Sequence, residues 1–248
     1  MRVYYLEDNI DYGNYNFPYK IYAKMEEGDK LDDIYEKGFL PSRYENKIFY
    51  LARSLRVNLE KFELSSENRR ILRKSSNWRV DLFDADMYEF DYRIGKIAKD
   101  FYKENFKKVI MTPQKARWLF SGDFFNCIFV ANSRNNGNKS LKKGTRDLPF
   151  GYVVAMRSEK IMHYAYPFYI SDSYPNIGIS MMTKVLEYCV KREYKYLYLG
   201  TCYGERALYK LQFKGLEYFD GEDWSDDIDR LKTALKNDGK LTFSIDTL

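Results

Sequence analysis

The sequence predicts an α/β fold in which a mixed, mainly antiparallel sheet is flanked by helices. Strand-like runs at 126–131, 150–156 and 161–170 follow one another without a helical pattern between them, which is typical of an antiparallel meander. A one-sided helical pattern at 177–190 and a short apolar strand, Lys195–Leu199, come next. With 248 residues, 45% of them hydrophobic, the chain is long enough for one large domain or two small ones.

Composition excludes several classes of protein. No apolar run approaches the roughly 20 residues of a membrane helix, and the start, MRVYYLEDNIDYG, has acids where a signal peptide needs an apolar centre. We therefore expect the protein in the cytoplasm. Its three cysteines are odd in number and far apart, which predicts neither a disulfide framework nor a metal site. The chain has a single histidine, His163, which argues against a His-ligated zinc, and we expect no bound metal. A Ser-His-Asp or Cys-His site could rest only on that residue.

The first third of the chain predicts a smaller α+β lobe. Residues 1–20 suggest an extended segment, and Asp29 resembles the N-cap of a short helix that Gly38 terminates. Ser65 or Ser66 caps a second helix with four positive charges near one face and end: Arg69, Arg70, Arg73 and Lys74. That helix is either a solvated basic surface or a phosphate-contacting one.

The alternating acids and apolar residues of 77–92 predict a linker or irregular hairpin. We place a domain boundary near residue 95, which gives an N-terminal lobe of residues 1–95 and a C-terminal domain of residues 96–248. The second begins with amphipathic helices at 94–102 and from Thr112-Pro113 to Gly122.

The C-terminal part adds a basic loop and a last helix. The insert 132–148 is rich in Asn, Gly and Lys, and we expect a solvated hairpin tip rather than an RNA contact. Ser225 is the expected cap of a helix that ends at Gly239, before a possible strand at 241–245.

The strand Lys195–Leu199 has the pattern of a strand buried on both faces, and Gly200 ends it where the backbone must turn or let a ligand approach. Hydroxyl, carboxylate and ammonium groups follow closely: Tyr203, Glu205, Arg206, Tyr209, Lys210 and Lys214. Such groups suit a polar, anionic ligand. Packing alone is the other interpretation, because the chain has 24 tyrosines.

The string YLYLG with Tyr209-Lys210, Phe213-Lys214, Glu217 and Trp224 resembles the C-terminal half of the aminoacyl-tRNA-protein transferases of the N-degron pathway. These are the arginyltransferases and the bacterial leucyltransferases, whose C-terminal domain is similar to the acetyltransferases of the GNAT fold. The resemblance implies a GNAT-like C-terminal domain. It also implies transfer of an aminoacyl group from a charged tRNA to the N-terminal amine of a protein.

The N-terminal motifs of that family are present only in part. Gly38-Phe39 and Ser42 match a Gly-Phe-Arg-Arg-Ser motif, but Leu40 and Pro41 replace both arginines, and no cysteine cluster follows. The similarity resumes over 56–70, through the residues Arg56, Val57, Phe62, Ser65, Asn68, Arg69 and Arg70.

The resemblance and the residue types together predict a site. Tyr198, Tyr209 and Lys210 are the catalytic candidates, with Lys210 directed at the tRNA end or the developing oxyanion. Candidates for substrate or tRNA binding are Ser42, Arg56, Arg69, Arg70, Arg73, Gly178, Gly200, Tyr203 and Lys214. Aminoacyl-tRNA is the expected co-substrate, a protein or peptide N-terminus the acceptor, and no cofactor is expected.

Two alternatives remain open. An N-acetyltransferase using acetyl-CoA would share the fold, although only Gly178 remains of the glycine-rich turn that binds a pyrophosphate. A non-catalytic homologue that binds tRNA or protein would share it too, because fold alone does not decide function.

Overall fold

A computed structural model describes residues 1–7, 19–42, 45–106, 111–134 and 149–238. In chain order the elements are β1 (Arg2–Glu7), β2 (Tyr19–Lys24), α1 (Leu31–Glu36), β3 (Phe39–Pro41), β4 (Ile48–Leu51), β5 (Ser54–Asn58), α2 (Ser66–Lys74), β6 (Trp78–Asp84), α3 (Tyr92–Phe106), α4 (Pro113–Leu119), β7 (Cys127–Ser133), β8 (Gly151–Arg157), β9 (Ile161–Tyr169), α5 (Ile177–Lys191), β10 (Tyr196–Thr201), β11 (Leu216–Phe219), β12 (Trp224–Ser225) and α6 (Ile228–Asn237). Two 3₁₀ helices, Ala85–Met87 and Glu205–Gln212, complete the described elements.

The chain divides into two compact units. The first joins Met1–Phe62 to Leu199–Leu248, and the second is Glu63–Tyr198. The expected boundary near residue 95 falls inside the second unit, and the division into residues 1–95 and 96–248 stays a prediction.

The second unit contains five neighbouring strands in the order β10-β9-β8-β7-β6. β6, β7, β8 and β9 pair antiparallel, whereas β10 pairs parallel to β9 after the crossover through α5. Long runs of buried residues fill these strands, including all four from Tyr196 to Leu199. A mixed, mainly antiparallel sheet flanked by helices is therefore confirmed, with the strand, helix, strand arrangement expected of a GNAT-like domain.

The first unit contains two smaller antiparallel ladders. One has the strand order β1-β2-β4-β3, and the other pairs β5 with β11 and β11 with β12. A Cβ at Gly38 would overlap the ring of Phe219, and Gly38 also has a φ of +80°. Only glycine therefore lets the end of α1 approach β11 this closely.

Predicted helices are confirmed where local signals are complete. Ser65 caps α2 in a reciprocal box, in which its hydroxyl accepts the N–H of Asn68 and the Asn68 side chain accepts the N–H of Ser65. Thr112 caps α4 with Pro113 at its first position, as expected. α3 and α5 also form at the predicted places.

Three predictions are wrong. Residues 78–84 form β6, which pairs with β7 along its whole length, instead of a linker or irregular hairpin. Asp29 does not cap α1, because its carboxylate accepts from the N-terminal amine of Met1 at 2.6 Å and from the Glu26 N–H. Asp227, not Ser225, caps α6 through the N–H of Arg230.

Much of the basic insert 132–148 and the expected strand 241–245 lie outside the described residues.

Candidate active site

The end of β10 anchors the candidate site. Gly200 has a φ of +78°, a left-handed conformation that glycine adopts without steric cost. The following Cys202 N–H donates to the carbonyl of Arg53 at 2.9 Å. Gly200 does not end the strand as the sequence predicted, because β10 continues through Gly200 to Thr201. The carbonyls on either side of Gly200 are available to the chain that follows.

The side chain of Lys210 forms hydrogen bonds with those carbonyls. Its side chain reaches back from the 3₁₀ helix, and Nζ donates to the Leu199 oxygen at 2.8 Å and the Thr201 oxygen at 2.9 Å. Among the described residues no carboxylate pairs with this ammonium. Burial lowers the pKa of Lys210 to about 8, and a smaller electrostatic effect of Cys202 opposes that shift. Lys210 is thus a half-buried cation that is anchored but not neutralised.

Tyr203 and Gly204 are held beside this lysine by two residues that the sequence did not suggest. The Tyr203 hydroxyl accepts the Arg53 N–H at 2.8 Å, and the Arg53 guanidinium lies 5.1 Å from the centre of the Tyr203 ring. The Asp238 carboxylate accepts from the Arg53 guanidinium at 2.9 Å and from the Gly204 N–H at 2.8 Å. A clamp formed by Arg53 and Asp238 therefore fixes the predicted loop.

The other catalytic candidates differ in exposure. Tyr209 is 48% exposed and precedes Lys210 on the same 3₁₀ helix, and the Tyr209 carbonyl accepts from Gln212 at 2.6 Å. Tyr198 is fully buried in the second unit, with its ring 6.3 Å from that of Tyr196. Tyr209 has surface to offer a ligand in this structure, whereas the catalytic role of Tyr198 stays a prediction.

Arg56 is engaged inside the first unit. Its guanidinium donates to Glu217 at 2.8 Å and to Glu36 at 2.7 Å, and it stacks over the Trp224 ring at 3.9 Å. Only 4% of the side chain is exposed. These contacts give Arg56 a structural role, and the binding role predicted for it is not tested by them.

Ser42 and Lys214 have different surroundings in the same unit. Ser42 is buried at the end of β3, where its N–H donates to the Ile48 carbonyl at 2.7 Å. Lys214 is exposed and borders a cavity of about 280 Å³, which is also lined by Lys61 and Asp226. The predicted binding role is therefore sterically open for Lys214.

The predicted binding residues of the second unit lie on α2 and at the start of α5. Arg69 and Arg73 are exposed, and Arg70 forms an ion pair with Glu67 one turn earlier. That pair lowers the pKa of the Glu67 carboxyl and raises the pKa of Arg70. A Cβ at Gly178 would overlap the Tyr169 hydroxyl, so close packing requires this glycine in the structure.

In the described part of the chain, no group of three His, Cys, Asp or Glu side chains could hold a metal ion. The three cysteines are buried and unbonded to one another. None of the described helices is both long and apolar enough to cross a membrane.

Comparisons with known proteins give distant structural likenesses. No protein-family model matches the sequence, and no curated protein matches it significantly. The chain is similar to the C-terminal DUF2156 domain of a putative lysylphosphatidylglycerol synthetase from Agrobacterium fabrum, with a TM-score of 0.46 and 9% identity over 64% of this chain and 49% of that one. It is similar to L-PGS from Bacillus licheniformis, with a TM-score of 0.42 and 13% identity over 60% of this chain and 44% of that one.

A third likeness is to a GCN5-related glucosamine N-acetyltransferase region in a fungal multi-domain GH3 β-N-acetylglucosaminidase. Its TM-score is 0.38, with 9% identity over 67% of this chain and 19% of that chain. The chain thus spans about half the length of the first two structures and less of the third. None of these three structures is named as an arginyltransferase or leucyltransferase, so the family expected from the motifs stays a prediction.

Proposed function

We propose that this protein is an aminoacyltransferase, similar to the arginyltransferases, that moves an aminoacyl group from a charged tRNA to the N-terminal amine of a protein or peptide. The observation that carries the proposal is Lys210, a cation held at the end of β10 by two carbonyls and by no carboxylate of the described chain. A cation fixed in this way suits a phosphate of the tRNA end or the oxyanion that develops at the reacting carbonyl.

The reaction needs little acid-base equipment. An aminoacyl ester is already activated, and an α-amine with a pKa of about 8 is partly neutral near pH 7. Holding the ester and the amine together, and stabilising the oxyanion, can supply most of the rate. The half-exposed residues Tyr203 and Tyr209 precede Lys210 in the sequence and offer surface for the substrates. No metal or organic cofactor takes part in this proposal, and the protein would act in the cytoplasm.

Basic surface supports an RNA partner. Arg69 and Arg73 are exposed on α2, and Lys214 is exposed in the other unit. Exposed arginine and lysine side chains bind phosphates and release counterions, which is the main source of affinity for RNA. The sequence favours this donor over acetyl-CoA, because only Gly178 remains of the glycine-rich turn that binds a pyrophosphate.

One assay tests the donor and the acceptor together. The purified protein is incubated with a mixture of labelled aminoacyl-tRNAs and peptides that cover every N-terminal residue. Parallel reactions replace the donor by labelled acetyl-CoA, or the acceptor by phosphatidylglycerol vesicles, an acceptor that the names of two structural relatives suggest. We expect label on a peptide amine from at least one aminoacyl-tRNA. Label only from acetyl-CoA would replace the proposed donor, and label only in lipid would replace the proposed acceptor.

A further inference from the structure

Lys210 has one N–H more than the two carbonyls use. A protonated lysine has three donors, and those of Lys210 that the described residues satisfy go to the Leu199 and Thr201 oxygens. The two bonds fix the direction of the third N–H, because the three donors of an ammonium are arranged tetrahedrally. Lys210 is half-buried, and no other described residue accepts a hydrogen bond from its Nζ. If the proton leaves, the remaining amine still donates to both carbonyls and presents a lone pair at the same place.

The transfer reaction has a proton to move. When the acceptor nitrogen attacks the ester, the new C–N bond leaves an extra proton on that nitrogen, and the breaking C–O bond leaves a negative oxygen on the tRNA ribose. The balance requires one proton to pass from the nitrogen to the ribose oxygen. General acid-base catalysis of such a step needs a group that holds its place in both protonation states.

We propose that Lys210 carries this proton: its third N–H protonates the leaving ribose oxygen as the ester bond breaks, and its amine takes up the proton that the acceptor nitrogen releases. Lys210 ends the cycle as it began, and no other reactant is consumed. This inference rests on the proposed function and goes beyond a fixed positive charge, because it requires the lysine to lose and regain a proton in every turnover.

The surroundings of Lys210 suit that task. Burial brings the pKa of Lys210 to about 8, close to that of an α-amine, so that proton exchange between the two is nearly balanced. The Cys202 thiol interacts electrostatically with Lys210, and burial raises the pKa of that thiol to about 11, so that it stays protonated. Arg53 and Asp238 lie near that thiol and neutralise each other in an ion pair. Lys210 is therefore the group of this cluster that exchanges a proton near neutral pH.

Two variants separate proton transfer from charge. Lys210→Arg keeps a positive charge and N–H donors, but a guanidinium does not release its proton. Lys210→Met removes both. With labelled aminoacyl-tRNA and peptide, measured in single turnover, we expect both variants to lose roughly a hundredfold or more in rate. A Lys210→Arg rate within a few-fold of the parent, beside a large loss in Lys210→Met, would mean that only the charge matters, and would overturn the inference while leaving the proposed function intact.

The pH profile gives a second measurement that does not depend on how Lys210→Arg folds. In the parent we expect the rate to depend on pH in a bell-shaped curve. The rate rises with pH as the acceptor amine loses its proton, and it falls above about pH 8 as Lys210 loses its own. The Lys210→Met rate should rise to a plateau instead. A parent profile that reaches the same plateau would also overturn the inference. Absence of transfer from any aminoacyl-tRNA in the parent would be a failure of the proposed function itself.

Discussion

Arg56 and Lys210 are two basic side chains of the first unit, and they differ in the groups that surround their charges. Two carboxylates, Glu217 at 2.8 Å and Glu36 at 2.7 Å, meet the Arg56 guanidinium, and an indole covers its face. Within the described residues, Lys210 donates to backbone oxygens alone. One buried charge is neutralised in place, while the other is held without neutralisation.

In the proposed function, this difference distinguishes Arg56, a structural cation, from Lys210, a functional one. A neutralised pair is satisfied before any ligand arrives, so its removal should damage stability. A cation that is oriented but not neutralised can still attract an anionic ligand. Because no carboxylate of the described residues pairs with Lys210, burial lowers its pKa. The predictions below test this contrast, beginning with the largest expected effect on stability.

The largest loss of stability should come from Arg56→Met. It leaves the nearly buried Glu217 carboxylate without its guanidinium, which typically costs about 3–5 kcal/mol in free energy of unfolding. Denaturant unfolding measures it. The double variant Arg56→Met with Glu217→Met removes the charge pair together and should recover much of the loss. A single variant as stable as the parent would remove the distinction drawn here between the two cations.

Gly38→Ala should destabilise the same cluster. The Gly38 carbonyl accepts from Ser54 at 2.8 Å, and a methyl group there would overlap Phe219, whose ring lies beside Trp224. Overpacking and a positive φ together should cost about 2–4 kcal/mol. Gly28 is the matched control, with a φ of +86° and open space around it, so Gly28→Ala should cost only about 1 kcal/mol. Equal losses in thermal unfolding would show that close packing at Gly38 is unimportant.

Lys210 should make stability depend on pH in a way that Arg56 does not. Its pKa is lower in the folded chain than in the unfolded one, so the folded state releases its proton first as pH rises. Between about pH 8 and the usual lysine range, the parent should gain stability with pH relative to Lys210→Met, and below pH 8 their difference should be constant. Parallel stability curves for the two proteins across pH 7 to about 10 would contradict the lowered pKa.

The smallest effects are expected on α2. Arg73 is exposed at the end of the helix, while the charge of Arg70 is offset by Glu67. Arg73→Ala should weaken tRNA binding a few-fold and reduce the salt dependence by about one ion, and Arg70→Ala should do less. Binding titrations at several salt concentrations measure both. A larger effect at Arg70 would mean that the ion pair opens when RNA binds.

Local signals predicted much of the fold. The signals that predicted correctly are local, because the residues that form each one lie close together in the sequence. They are the capping box of Ser65 and Asn68, the Thr112-Pro113 start of α4, and the pattern of α5 followed by β10. β6 was missed because its acids alternate with apolar residues, a pattern that a half-exposed strand shares with a linker. Asp29 was misassigned because its partner, the amine of Met1, is 28 residues away.

The candidate site was predictable only in part, for the same reason. The charged and aromatic groups after Gly200 pointed to Tyr203, Tyr209 and Lys210, but the clamp on their loop joins residues 185 positions apart, Arg53 and Asp238. Arg56 was predicted to bind RNA because no local signal shows that Glu217, 161 positions later, takes its guanidinium. A charged residue inside an otherwise buried strand was the available hint of a buried partner.

The most direct test of the account is the Lys210→Met variant, assayed for both transfer and thermal stability. The substitution keeps the apolar stem and removes the charge, so stability should change by about 1 kcal/mol or less at neutral pH. Lys99→Met, at an exposed position of α3, is the control for replacing a lysine. We predict that transfer from charged tRNA falls by roughly a hundredfold or more in Lys210→Met and not in Lys99→Met, while both unfold near the temperature of the parent. Unchanged transfer in Lys210→Met, or a loss of stability that matches the loss of activity, would give Lys210 a purely structural role, as for Arg56, and contradict the account.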